Sequence, residues 1–503
     1  MPIVPLQIPP GIERNGSSYD TPNRWWDMNL IRWQSGSAVP VGGWERVTSS
    51  ALTGAIRNFH VYRDNSDQAR TLVGTDSKLY ADTGGFTDIT PAAFVPLTSI
   101  GVNGGYGTLD YGENTYGTAR PSPSQLFSPY AFWSFDNWGE DVILTANSDG
   151  RLFYYDTSVT TTAPAVITTA PTGNNSVLVT SERHVMAIGQ SGGSGGSLYR
   201  VAWSSAEDYT DWNFASTTNT AGFQDLDART PLLKGVEVRE GTLILSQTDA
   251  YLAQYVGRPF IYGFTRVSDA SLLNPNTLVM FNGNAAWMGR TGFQLYSGGT
   301  VSFIDCPILN DIRDELDPLY GPFRAFGCVN GYYPEIWWFY PTTDETECNR
   351  YVIWNYGENW WAWGSLTRSA MAQGSDTRKP LMGNIGGEIY RHETGYTAAG
   401  SPRYPDIYLE SGALPVNDGI VDINSIRAAT GVGAQTLTVT AYSRYTPEGT
   451  EYTFGPYSPR SNGYTDTRIS GNAPRLRFQP SSDAQWALGK VYLDVKGNAG
   501  ARR

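Results

Sequence analysis

Short apolar runs separated by turn-forming residues cover most of the chain. Runs of about four to eight mainly apolar residues alternate with clusters of Gly, Asn, Asp, Ser and Thr, as at residues 142–146, 243–246, 285–288 and 336–340. Such runs are typical of β-strands, and the intervening residues are those that form tight turns. The chain is therefore predicted to be all-β.

A turn followed by a strand that ends in an aromatic residue recurs along the chain. It occurs at residues 74–80, 147–156, 194–203, 289–299 and 383–395. From Tyr80 to Tyr390, most of the aromatic residues in such runs are spaced near the ~40–50 residues of a propeller blade. The repeat predicts a β-propeller of about 6–8 irregular blades over residues 51–397, because a closed ring hides its strand edges. Residues 101–123 are mostly Gly, Tyr, Asn, Thr and Pro and are predicted to form a loop insertion.

One short helix is predicted at residues 307–319 (PILNDIRDELDPL). Its apolar face holds Ile308, Ile312, Leu316 and Leu319, which are spaced as on one side of a helix. Three aspartates lie off that face: Asp311, Asp314 and Asp317. A solvated surface is the preferred interpretation over a calcium site, because the EF-hand pattern is missing.

The two ends of the chain differ from the middle. Beyond a linker at residues 398–405, alternating strands predict a C-terminal β-sandwich over residues 404–503. Residues 1–50 are predicted to form an aromatic-rich arm that packs on the propeller or on a neighbouring subunit. Because aromatic residues and Arg dominate interface cores, the candidate interface residues are Trp25, Trp26, Arg32, Trp33 and Trp44. A place in the local core is the alternative for all five.

Composition narrows the classes of function. Charged residues make up only 17% of the 503 residues, and the net charge is −12, which disfavours binding of DNA through a basic face. Three cysteines without a CxxC pair predict neither a disulfide framework nor a zinc site. Neither a signal peptide nor an apolar run long enough to span a membrane is recognised. We expect a soluble protein made in a reducing cytoplasm.

Catalytic chemistry has little support in the sequence. The three histidines, His60, His184 and His392, belong to no recognised catalytic motif. Glu335 and Glu358 each precede tryptophans and could form a sugar cleft with two carboxylates. Core packing is the preferred interpretation of those tryptophans. The prediction is therefore no enzyme, no catalytic residue, no metal and no cofactor.

An ordered set of segments resembles one protein family. The segments are QIPPGIERNG and RWWDMNLIRWQSG near the N-terminus, AFWSFDNWGEDVILTANSDGRLFYYD at 131–156, YRVAWSSAEDYTDWN at 199–213, YVGRPFIYGFTRVSD at 255–269, AAWMGRTGFQLYSGG at 285–299, EIWWFYPTTDETECNRYVIWNYGENWWAWGSL at 335–366 and RLRFQPSSDAQWALGKVYLDVKGNAGARR at 475–503. Together they resemble the tail hub, or nozzle, proteins of tailed bacteriophages, including the packaged-DNA stabilisation type. The loop at residues 101–123 departs from that family.

The resemblance implies a structural virion protein of the tail, made in the host cytoplasm. Such proteins form a ring, usually a hexamer, below the portal and the adaptor (the head-to-tail connector). The ring continues the DNA-ejection channel, helps to retain packaged DNA and carries tail fibres or spikes. Double-stranded DNA would pass through without specific binding, and no membrane insertion is expected.

Two alternatives remain open at this point. One is a receptor-binding or glycan-degrading tail protein that uses aromatic clefts between propeller blades. The other is a free bacterial propeller that serves as a binding module, which would usually carry a signal peptide or regular blades.

Overall fold

The computed structural model describes residues 3–6, 8–14, 16–99, 130–192, 196–374, 378–414, 419–430, 437–446 and 449–497. Most regular structure in this part of the chain is β-strand, so the all-β prediction is confirmed. The predicted loop insertion at residues 101–123 lies outside the described residues. No helix among the described residues is long and apolar enough to cross a membrane.

Five short strands precede the first complete blade. They are β1 (Ile3–Leu6), β2 (Trp25–Asn29), β3 (Ile31–Gln34), β4 (Ser37–Pro40) and β5 (Trp44–Arg46).

Seven four-stranded antiparallel sheets form a β-propeller, which agrees with the predicted fold and number of blades. Blade 1 contains β6 (Ile56–Arg63), β7 (Ala69–Thr75), β8 (Leu79–Asp82) and β9 (Phe86–Asp88). Blade 2 contains β10 (Trp133–Trp138), β11 (Asp141–Ala146), β12 (Phe153–Tyr155) and β13 (Ala165–Val166). Blade 3 contains β14 (Ser176–Val179), β15 (Val185–Gln190), β16 (Ser197–Trp203) and β17 (Gly222–Asp225). Blade 4 contains β18 (Leu232–Val238), β19 (Gly241–Ser246), β20 (Asp249–Gly257) and β21 (Ile261–Asp269). Blade 5 contains β22 (Val279–Phe281), β23 (Asn284–Met288), β24 (Phe293–Ser297) and β25 (Thr300–Ile304). Blade 6 contains β26 (Phe326–Asn330), β27 (Glu335–Tyr340), β28 (Arg350–Asn355) and β29 (Trp360–Ser365). Blade 7 contains β30 (Ala370–Ala372), β31 (Leu381–Gly383) and β32 (Ile389–His392), with β5 as its outermost strand.

Buried tryptophans pack closely against strands, and glycines leave room for them. Trp133 of blade 2 faces Gly74 of blade 1, and Trp338 faces Gly327 within blade 6. A Cβ atom at either glycine would come 2.4 Å from the indole ring. The Trp133 indole N–H donates to the Thr75 carbonyl oxygen of blade 1 at 2.8 Å, and the Trp338 indole N–H donates to the carbonyl oxygen of Thr277, just before the first strand of blade 5, at 2.9 Å. Trp133 and Trp338 therefore serve as core, and their indole N–H groups are satisfied.

The N-terminal strand β5 closes the ring. Trp44 pairs with His392 and Arg46 with Tyr390 in an antiparallel register. Just beyond β5, the Val47 N–H donates to the Ile389 carbonyl oxygen at 2.8 Å. Part of the segment predicted to be an arm, residues 1–50, is thus a strand of the propeller itself.

The other N-terminal strands belong to a second sheet at the C-terminal end. That sheet also contains β33 (Tyr408–Ser411), β34 (Val421–Thr430), β35 (Leu437–Arg444), β36 (Tyr452–Tyr457), β37 (Thr465–Pro480) and β38 (Leu488–Gly497), which join β1–β4 to make ten strands. The first part of β37 pairs with β34 and its second part with β33 and β35, so it connects two halves of the sheet. Apolar residues from both halves, such as Ile423 and Phe478, share one core with blade 6. The C-terminal unit, predicted as a sandwich over residues 404–503, is therefore one ten-stranded sheet whose two halves share a core, and it includes strands from the N-terminus.

The predicted helix is shorter than expected, and a second short helix follows it. These are α1 (Leu309–Glu315) and α2 (Gly321–Arg324). Helix α1 ends because Leu316 is extended, with φ −61° and ψ 123°, and pairs with Thr342. Pro318 also disfavours helical geometry at the residue before it. Leu319 lies beyond the helix and is exposed, whereas Ile312 is buried.

The three aspartates near this helix have different surroundings. The Asp311 carboxylate lies 2.9 Å from Arg14 Nε. Asp317 accepts backbone N–H bonds from Leu319 and Tyr320, at 2.9 and 2.6 Å. Asp314 is exposed. Among the described residues, no group of three or more potential ligands could hold a metal ion.

Closure of the ring can be tested at Val47. Val47→Pro removes the backbone donor to Ile389 and should lower the free energy of unfolding by about 1–3 kcal/mol, measured by urea denaturation. Val47→Thr keeps the N–H and should change stability by less than about 0.5 kcal/mol. Equal stability of the two variants would show that this bond does not hold the ring closed.

Candidate functional site

A buried ionic cluster lies where the propeller meets the C-terminal sheet. Arg32 of β3 is only 1% exposed, and its Nε lies 3.0 Å from Glu335 Oε1. Its Nη2 lies 2.5 Å from Glu393 Oε1. Glu335 begins β27 of blade 6, and Glu393 directly follows β32 of blade 7. One arginine of the C-terminal sheet therefore lies between carboxylates of two propeller blades.

Other groups also contact these three charged side chains. The Arg32 guanidinium carbon is 3.9 Å from the Tyr333 ring centroid. Glu335 Oε2 accepts the Trp337 indole N–H at 2.9 Å. Glu393 Oε2 accepts the Gly42 backbone N–H at 3.0 Å. Each carboxylate thus has a hydrogen-bond donor besides Arg32, as buried charges require.

The pKa shifts in the cluster have opposing causes. Burial alone would lower the pKa of Arg32, but the carboxylates of Glu335 and Glu393 raise it above its usual value. Burial raises the pKa of Glu335, and Arg32 partly opposes that shift. The ionised pair therefore depends on both partners being present.

A second group of cations surrounds Trp44. Burial lowers the pKa of Arg368 to about 10 and that of Arg403 to about 10. Their guanidinium carbons lie 5.0 and 5.5 Å from the Trp44 ring centroid. Trp44 also stacks on His392 at 5.0 Å, and burial lowers the pKa of His392 well below its usual value. The ring-closing strand is therefore fixed by stacking as well as by backbone pairing.

A cleft of about 540 Å³ opens beside the Arg32 cluster. Its lining residues are Gln34, Ser35, Ser37, Val39, Tyr333, Pro334, Glu335, Asn355, Glu358, Gln485, Trp486 and Ala487. The cleft therefore brings together the two carboxylates, Glu335 and Glu358, that the sequence suggested as a pair. Glu358 Oε1 accepts the Ser35 backbone N–H at 3.0 Å.

Three of the five predicted interface residues lie in the core of the chain. Trp25 and Trp33 are buried, with ring centroids 5.9 Å apart, and Trp25 also contacts Phe478. Arg32 is in the ionic cluster. The structure thus places these three in local core, the alternative that the sequence left open, because the N-terminal strands lie inside the C-terminal sheet.

Trp26 and Trp44, the other two predicted interface residues, are half-buried. Trp26 lies under the Arg14 guanidinium, whose carbon is 4.5 Å from its ring centroid. Trp44 contacts the cations and His392 at the ring closure. Only these two retain a partly exposed face.

The histidines and cysteines are dispersed. His60, His184 and His392 belong to, or directly precede, strands of three different blades. Burial lowers the pKa of His60 to about 4, so it is neutral near pH 7. The three cysteines are free, and burial raises the pKa of Cys328 to about 12. None of these thiols is poised as a thiolate nucleophile.

Sequence reasoning missed Glu393 and Arg403. Glu393 lies 361 residues from its partner Arg32, and no local pattern identifies a pair so far apart. The signal available was weak: both residues flank the end of blade 7, where the chain leaves the propeller.

No family model matches the chain, and no curated protein has a matching sequence. Among solved structures, the chain is similar to BamB from Moraxella catarrhalis, with 12% identity over 78% of this chain and 98% of that one, and a TM-score of 0.37. It is also similar to YCF48 bound to D1 peptide, with 9% identity over 70% of this chain and 97% of that one, and a TM-score of 0.37. Neither similarity indicates what this chain binds.

The Arg32 cluster predicts a strong and pH-dependent effect of mutation. Arg32→Met removes the ion-pair partner of two buried carboxylates and should lower the free energy of unfolding by about 3–5 kcal/mol at pH 8. Without Arg32, the raised pKa of Glu335 in the folded state favours its neutral form. Protonation of Glu335 thus stabilises the folded variant. This stabilisation is fully present below the pKa of Glu335 in the unfolded state, near 4.5, and is lost as pH rises through its pKa in the folded state. The loss measured by urea denaturation should therefore be smaller at pH 5 than at pH 8.

A surface pair provides the matched control. Arg391 lies 3.2 Å from Glu45, and both side chains are about half exposed. Arg391→Met should change the free energy of unfolding by less than about 1 kcal/mol, with little pH dependence. Equal effects of the two substitutions would contradict the interpretation of Arg32 as a buried charge that the fold requires.

Proposed function

We propose that this chain is a structural subunit of a bacteriophage tail, a hub or nozzle protein that assembles with copies of itself into a ring. The ring, of about six subunits, continues the DNA-ejection channel below the portal and adaptor, helps to retain packaged DNA and carries fibres or spikes. Two things support the proposal: the ordered segments that resemble this family, and an exposed apolar rim on the propeller. The rim is the structural observation that carries it.

The rim consists of apolar side chains on or beside the outer strands of three consecutive blades. These rim residues are Phe223 of blade 3, Tyr255, Val256 and Phe260 of blade 4, and Phe303 of blade 5. Phe260 is 76% exposed. Large exposed apolar side chains grouped in this way are typical of protein–protein contact surfaces.

The blade 4 part of the rim is a projecting hairpin. β20 pairs with β19 only as far as Ala253, whereas its pairing with β21 continues to Gly257 and Ile261. The tip is anchored to blade 3, because Arg258 Nη2 donates to the Thr218 carbonyl oxygen at 2.6 Å. A tip held in place before binding loses little conformational entropy on contact with a second copy.

Charge is distributed unevenly between the two parts of the chain. Residues 44–403 contain 36 acidic and 23 basic residues, whereas residues 404–503 contain nine acidic and ten basic residues. The acid excess thus belongs to the propeller. An acidic channel wall would repel DNA phosphates and let the genome slide past.

Ring assembly can be tested at the rim. The double variant Tyr255→Ser, Phe260→Ser should lose the ring or weaken it at least tenfold, measured by mass photometry alone and with the portal and adaptor. Ile385→Ser removes an apolar side chain that is 49% exposed in blade 7 and should assemble like the wild type. Wild-type protein that stays monomeric with both partners would contradict the proposed function. Rings of unchanged stability in the double variant would reject the rim as the contact.

A second candidate function rests on the cleft that contains Glu335 and Glu358. Its amide, hydroxyl, carboxylate and aromatic side chains suit a saccharide, as expected of a receptor-binding tail protein. Cleavage is disfavoured. Glu335 Oε1 faces Arg32, and Glu335 Oε2 accepts bonds from Trp337 and Asn330, at 2.9 and 3.4 Å. Few lone pairs of Glu335 remain for general acid or nucleophilic chemistry.

Binding to host polysaccharide distinguishes this candidate. If the cleft binds saccharide, Glu358→Gln should weaken binding at least tenfold in isothermal titration, without release of reducing sugar by the wild type. Glu345→Gln, which alters an acid of the same blade outside the cleft, is the control. Absence of saccharide binding by the wild type would reject the candidate. Release of reducing ends would show catalysis instead.

A further inference from the structure

A separate pocket of about 440 Å³ lies on the C-terminal sheet, away from the cleft beside Arg32. Its lining residues are Ile3, Ser425, Arg427, Tyr464, Tyr492 and Asp494. Pockets of this volume commonly hold small organic ligands.

The strand register places the lining side chains on one face of three neighbouring strands. Asp494 of β38 pairs with Ser425 of β34 on one side and with Ile3 of β1 on the other. Arg427 pairs with Tyr492 in the adjacent row of the same face. Arg427 and Asp494 are thus diagonal neighbours, whose Cβ atoms lie somewhat closer than about 7–8 Å in such a register.

The two charges of the pocket have no ionic partner among the described residues. No carboxylate lies within ion-pair distance of Arg427 there, and its guanidinium carbon lies 4.7 Å from the Tyr492 ring centroid and 6.0 Å from that of Tyr464. Asp494 forms no ion pair with a described cation, and its Oδ1 is shielded from solvent without a hydrogen bond. One cation and one anion, neither with an ionic partner in the described part of the chain, thus line the same pocket.

A second arginine of the same sheet, Arg475, also stacks on a tyrosine but differs from Arg427 in its ionic partners. Arg475 lies 5.1 Å from the Tyr442 ring centroid, as Arg427 lies beside Tyr492. Arg475, however, binds the carboxylates of Glu410 and Glu451. Stacking therefore accompanies neutralisation by carboxylates at Arg475, whereas the stacked guanidinium of Arg427 has no carboxylate partner among the described residues and can accept a ligand anion.

We propose that this pocket binds a short zwitterionic peptide, with a dipeptide as the minimal ligand. The ligand carboxylate binds the Arg427 guanidinium, and its ammonium group binds the Asp494 carboxylate. Two extended residues span about 7 Å, and the long side chain of Arg427, a diagonal neighbour of Asp494, can place its guanidinium far enough from the Asp494 carboxylate for a ligand of that length to lie between them. Tyr464, Tyr492 and Ile3 provide apolar surface for the ligand side chains.

The experiment compares three ligands on the full chain: Leu-Leu, N-acetyl-Leu-Leu and Leu-Leu amide. Saturation-transfer NMR and isothermal titration measure the dissociation constants. Leu-Leu should bind at least tenfold more tightly than either blocked peptide, because only Leu-Leu carries both charges. No saturable binding of Leu-Leu up to about 10 mM, or equal affinity for all three peptides, would overturn the proposal.

Two substitutions test which pocket residue binds the carboxylate and which binds the ammonium group of the ligand. Arg427→Leu should weaken Leu-Leu and N-acetyl-Leu-Leu at least tenfold. Asp494→Asn should weaken Leu-Leu but leave the affinity for N-acetyl-Leu-Leu unchanged. Arg468→Leu removes an exposed cation of the same sheet outside the pocket and should bind like the wild type. Wild-type affinity in both pocket variants would overturn the assignment, and the comparison of ligands on wild-type protein tests it independently of variant folding.

Discussion

The pairing of β5 with β32 determines where both ends of the propeller lie. Because the N-terminal strand completes the last blade, residue 43 enters the ring beside the point where residue 393 leaves it. The segments before and after the propeller therefore start side by side. Their union in one ten-stranded sheet follows from that proximity.

The Arg32 cluster makes this arrangement specific. Apolar packing alone would tolerate several ways of placing a sheet against the blades, since hydrophobic contact is not directional. A buried guanidinium between Glu335 and Glu393 accepts few geometries, because any displacement leaves a charge without a partner. The cleft that contains Glu335 and Glu358 opens beside this fixed contact.

Much of the fold could be predicted from local sequence, and the site could not. Turn-and-aromatic repeats identify the blades because each hairpin joins residues close in sequence, as in the pairing of Thr71 with Val61. Local spacing does not predict the pairing of β5, because its partner strand β32 lies at the other end of the propeller sequence. It also fails for Arg32, which composition suggested as an interface residue. Glu335 and Glu358 were noted as a pair because each precedes tryptophans in the sequence. The structure shows why they line one cleft: they lie at the β26–β27 and β28–β29 turns, at the same end of the blade 6 sheet.

The ring can close only after its last blade has been synthesised, because the two closing strands lie far apart in the sequence. Glu45 and Arg391, which face each other across the closing pair, are separated by 346 residues. At roughly 5–20 residues per second, about 20–70 s pass between the emergence of β5 and that of its partner strand. During this interval the tryptophans of the N-terminal segment have no native sheet to enter, and the first six blades have no seventh to close them. The nascent chain must therefore remain soluble while it waits for its own last blade.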